Sequence, residues 1–138
     1  MRHGVLAFIA GFLAVFSFHQ PALALLHAAG VVPFPAFSLE PVAPLAVPSV
    51  VSSAFWGGIW GIVLVLALAR MGKSLVWLKA ALFGGIVLTL VALLLVFPLK
   101  GYGLDWQLFA PRFAIGFILN ALWGLGTLVY LRAFAQRA

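Results

Sequence analysis

Four long stretches of the chain, Gly4–Leu39, Pro41–Ala69, Ala80–Leu99 and Phe113–Leu131, contain no Asp, Glu, Lys or Arg, and the charged residues fall between and beyond them. A helix needs about 20 apolar residues to cross the roughly 30 Å hydrocarbon core of a bilayer, and each stretch supplies them. The pattern predicts an all-α integral membrane protein: one transmembrane domain, residues 1–138, with helices over 4–29, 50–69, 79–97 and 112–131, paired as two hairpins. Arg2 before an apolar run, with Ala22-Leu23-Ala24 further on, also fits a cleaved secretory leader. The first stretch is expected to remain as a transmembrane helix.

The connection between the first two helices is unusual. Residues 31–49 hold Pro33, Pro35, Pro41, Pro44 and Pro48 yet stay largely apolar. Proline removes backbone donors and favours extended geometry, so this segment is expected to form an ordered strap across the helix ends. Phe34, Phe37 and Leu39 would otherwise stand in water, which predicts docking on the bundle or on lipid.

Composition agrees with the segmentation: 66% of residues are hydrophobic and 7% charged, against roughly 25% charged in soluble domains. The formal net charge of +6 does not read as a nucleic-acid patch, because the basic residues sit singly at the ends of apolar segments. Membrane lipid headgroups are the partner this placement implies. Four crossings put Arg2, Arg70, Lys73, Lys79, Arg132 and Arg137 on one side, and Lys100, Arg112, Glu40 and Asp105 on the other. Under the positive-inside rule both termini are expected to be cytoplasmic. Trp77 at one surface, and Tyr102 and Trp106 at the other, suit aromatic belts.

Small residues recur at helical spacing. Gly57 and Gly61 form a GxxxG, Gly116, Asn120 and Gly124 repeat every four residues, and Ala81, Gly85 and Thr89 do the same, as do Ala7 and Gly11. Residues four apart share a face, and in lipid such faces drive close helix association. An internal parallel repeat is also suggested: Ala54–Ile59 resembles Ala121–Gly126, and Ala7–Phe12 resembles Ala81–Ile86.

Polar candidates gather towards the outer ends of the helices. Ser17, His19 and Gln20 precede Pro21, and a rise of about 1.5 Å per residue puts His19 some 22 Å from the start of its helix. Asn120, Ser52 and Ser53 reach the same half of the membrane, and Thr89 lies near the midplane. Polar groups at such depth face the bundle and find partners. Two roles are open: a clasp securing the proline kink, or a ligand site in which Trp56 and Trp60 join Ser17, His19, Gln20 and Asn120. Trp56, Trp60 and Trp123 are also expected as aromatic knobs opposite the glycines.

The sequence points away from catalysis and bound cofactors. His19 and His27 are about 12 Å apart along one helix, too far to share an ion, and cysteine is absent. Glu40 and Asp105 are the two carboxylates, both in connections, where ion pairs with Lys100 or Arg112 are expected. No serine sits in an elbow motif. Phe18-His19-Gln20-Pro21 and Phe55-Trp56-Gly57-Gly58-Ile59-Trp60-Gly61 resemble stretches of small bacterial inner-membrane proteins, a resemblance that implies a location and no activity. The leading expectation is a non-enzymatic accessory or scaffold subunit, associating with itself or with other membrane subunits through Gly57, Gly61, Gly85, Gly116 and Gly124. The alternative is a small transporter or hydrophobic-ligand binder using the outer polar cluster.

Overall fold

The computed structural model describes residues 1–137. Among the described residues, four helices are long and apolar enough to cross a membrane: α1 (Arg2–Ala28), α2 (Ser49–Met71), α3 (Val76–Leu99) and α4 (Trp106–Arg137). A two-residue antiparallel ladder, β1 (Pro41–Val42) with β2 (Val47–Pro48), folds the tip of the α1–α2 connection.

Helix ends differ from the sequence expectation in ways that local chemistry explains. α4 starts at Trp106 rather than Arg112 because Asp105 caps it: its Oδ1 accepts the Gln107 N–H at 3.0 Å. The carboxylate expected to pair with Lys100 or Arg112 is used at this helix start, and Pro111 lies inside the helix. α1 ends as its chain turns through Gly30 at φ +74°, with Val31 N–H returning to the Leu26 carbonyl. At the end of α2, Gly72 takes φ +79°, and Lys79 Nζ donates to the carbonyls of Met71 and Gly72 at 2.6 and 3.3 Å.

Proline is absorbed in α1 and α3 by the same device. A π-helical turn over Val15–His19 precedes Pro21, and another over Ala92–Val96 precedes Pro98. Within each, an N–H bonds one residue further back than in an α-helix: Gln20 to Val15 and Phe97 to Ala92. The wider turn makes room for a ring and for a missing donor.

α1 packs along α2, α3 packs along α4, and α1 and α4 meet between these pairs. Glycine sets how closely they approach. A Cβ at Gly61 would fall on the Ala7 carbonyl, and one at Gly11 on the Gly57 carbonyl. The α3–α4 pair repeats the arrangement, Gly124 against the Ala80 carbonyl and Gly84 against that of Asn120. Gly57 is closed in by Val15 and Trp123, Gly85 by the Phe117 ring and Gly116 by the Thr89 methyl. The main core joins Ala14, Val15, Ala54, Leu64, Ala80, Trp123 and Leu128.

Candidate functional site

The six polar and aromatic candidates do not converge on one site. His19 and Gln20 are neighbours, with His19 Nδ1 and Gln20 Nε2 3.4 Å apart. The buried Gln20 also accepts the Phe37 N–H on its Oε1 at 2.7 Å. Gln20 therefore holds the strap, and within the cluster it is Ser17 that ties the kink to α4. Ser17 bonds the Tyr130 hydroxyl of α4. Asn120 Nδ2 donates to Thr89 Oγ1 at 3.0 Å, joining α4 to α3. Trp56 is 57% exposed on the outside of the bundle, edge-on to Phe55, and Trp60 lies edge-on to Phe83 of α3.

Trp123 is the most consequential aromatic residue, with 1% of its surface exposed. Its Nε1–H donates to the Gly11 carbonyl at 3.0 Å, while Gly57 and Gly84 flank the ring. An indole N–H in an apolar interior needs an acceptor, and the glycines of α1, α2 and α3 admit the ring to one. Thr127, one turn on, returns its hydroxyl to the Trp123 carbonyl at 2.9 Å. Phenylalanines fill the other glycine notches: Phe8 on Gly58, Phe117 on Gly85 and Phe18 on Gly126. Sequence reasoning passed over these rings and Tyr130. Their signal is an aromatic residue on one helix and a glycine on its neighbour, which becomes readable once the pairing of helices is known.

The strap is built into the bundle at several points. Val32 is buried with Leu23 of α1 and Leu119 of α4, and its carbonyl meets His27 Nδ1 at 2.9 Å. Ser49 N–H reaches the Glu40 carbonyl and Val50 N–H that of Ser38, at 2.9 and 3.0 Å. Phe34, Leu39 and Leu45 nevertheless point away, 56%, 74% and 80% exposed. Apolar side chains are thus presented by fixed backbone.

Fold and contacts together define a membrane-type, all-helical bundle; among the described residues, no buried side-chain nitrogen or oxygen lacks a hydrogen-bond partner. Comparison with known proteins finds no family model, curated protein or solved structure that matches this chain.

Proposed function

We propose that this chain is a non-enzymatic accessory or scaffold subunit that docks on another membrane subunit through its proline-rich strap. The observation that carries this reading is the combination of order and apolar exposure: Val32 and the Phe37 amide are fastened to α1, while Leu39 and Leu45 are presented outward. A fixed apolar platform loses little entropy on binding and gains by leaving water. The glycine faces expected to serve association are occupied by the chain's own helices, so the docking surface moves to the strap.

In this reading the protein resides in a bacterial-type inner membrane, and six Lys and Arg against two support a cytoplasmic basic end. The matched contacts of Gly61 with Ala7 and Gly124 with Ala80 support a parallel repeat. Their register equates Trp60 with Trp123, one helical turn from the alignment suggested by Trp56.

The test is native mass spectrometry of the chain extracted gently at natural expression. A complex containing a second protein is expected, and joint replacement Leu39→Ser and Leu45→Ser should release that protein while the chain keeps its helicity. Recovery of the chain alone or as a homodimer carrying a defined small molecule would overturn the proposal in favour of a ligand binder. Retention of the partner by the strap variant would remove the strap from the interface.

A further inference from the structure

The end of the bundle opposite the strap is also shaped. Between α2, the α2–α3 turn and α4 lies a recess of about 590 Å³, floored by Val65, Leu68 and Val76, with Lys73 and Arg132 on its rim. A second recess, of about 450 Å³, shares Val65 and runs between α1 and α4 past Leu6 and Phe134, with Arg2 at its edge. Both are open grooves rather than enclosed cavities.

The cations at this end differ in what they already do. Lys79 is engaged by the carbonyls closing α2, and Arg70 Nη1 donates to the Leu66 carbonyl at 3.3 Å. Arg132 instead rests on the face of Trp77, its guanidinium carbon 4.8 Å from the ring centroid. That stacking holds the group in place. Lys73, exposed in the turn, lines the same recess. Both carboxylates of the chain, Glu40 and Asp105, lie in the connections at the other end.

We infer that the larger recess is a binding site for one anionic phospholipid, with its phosphate between Lys73 and Arg132 and an acyl chain along Val65, Leu68 and Val76. Charge complementarity selects the anion. An apolar floor at the end of membrane-spanning helices selects a lipid over a soluble phosphate, because headgroups are found at that level and a chain continues into the bilayer. Arg supplies planar, multidentate phosphate recognition and Lys a mobile point charge.

The experiment titrates the full-length chain in non-ionic detergent with phosphatidylglycerol, with phosphatidylcholine of the same acyl chains, and with glycerol phosphate, reading bound mass by native mass spectrometry. One phosphatidylglycerol per chain is expected, at least tenfold tighter than phosphatidylcholine, with no glycerol phosphate adduct. Lys73→Gln should weaken it about fivefold, and the double variant with Arg132→Gln about 25-fold. Val65→Phe, which fills the floor and leaves the charges, should weaken it as well, whereas Arg112→Gln at the other end should change nothing. Equal binding of phosphatidylcholine, glycerol phosphate binding as tight as the lipid, or Lys73→Gln and Val65→Phe both binding like the parent would each overturn the site. Lys73 is exposed, so Lys73→Gln remains a fair test should Arg132→Gln disturb folding.

Discussion

At the scale of single residues, one indole does what three tryptophans were expected to share. Trp123 is enclosed by Gly11, Gly57 and Gly84 and bonded to the Gly11 carbonyl, whereas Trp56 faces outward. Interhelical hydrogen bonds in membranes contribute about 0.6 kcal/mol on average and up to about 1.7. Trp123→Phe, which keeps most of the ring and removes the donor, should therefore cost about 1 kcal/mol. Trp123→Ala should cost about 3–5 kcal/mol by opening a cavity. Trp56→Ala should stay within about 0.5 kcal/mol. Reversible unfolding in mixed micelles, followed by circular dichroism, measures all three. Equal losses at positions 56 and 123 would show that the indole at 123 is not the centre of the packing. The sequence marks both tryptophans as intramembrane but cannot rank them. Their helices are apolar all round, so hydrophobic periodicity does not reveal which side faces protein.

At the scale of elements, close backbone contact rather than hydrophobic segregation holds the helices together. The Gly61–Ala7 and Gly124–Ala80 approaches leave no space for a side chain. Gly61→Leu or Gly124→Leu must separate two backbones, at a cost of about 3 kcal/mol or more. The expected result is loss of the folded chain, seen as broadened elution in micelles and a drop in ordered tertiary signal, not dispersal of an otherwise folded assembly. Gly4→Leu, where a Cβ meets open space, is the matched control and should stay near the parent. An oligomer that separates into well-folded single chains in Gly61→Leu would return these glycines to an intermolecular role. Four spanning segments were legible from charge spacing, and the small-residue faces from their period of four. The partner of each face was not, because GxxxG states how closely something can approach and not what approaches. Helix ends were blurred for a different reason. The expected start at Arg112 follows the charge-free run from Phe113, yet the Asp105 side chain already satisfies a first-turn donor, and α4 continues through Pro111. The strap's attachment was similarly hidden: Gln20 needs a partner at that depth, but nothing local names the Phe37 amide, 17 residues away.

At the scale of the whole molecule, the two ends are chemically opposed. One carries Arg2, Lys73 and Arg132 around apolar recesses; the other carries the strap, the capping Asp105 and the exposed rings of Tyr102 and Trp106. α4, with 32 residues, is about 48 Å long at 1.5 Å per residue and exceeds the roughly 30 Å core, so its ends reach both interfaces. The charge asymmetry predicts a single orientation, and the absence of cysteine from the sequence makes that directly testable with one thiol at a time. Tyr102→Cys should react with a membrane-impermeant maleimide in intact cells. Lys73→Cys should react only after the membrane is opened, and Arg2→Cys should follow Lys73→Cys because an even number of crossings separates neither from the other's side. Each position is exposed, so failure to label from both sides would mean burial against a partner or lipid, not inaccessibility within the chain. The reversed pattern would place the strap in the cytoplasm and require its partner to be sought there. It would also move the Lys73–Arg132 recess to the outer leaflet, where a lipid would be selected by a different headgroup population. Orientation is thus the quantity on which the strap interface and the lipid site jointly depend, and the labelling experiment constrains both without presupposing either.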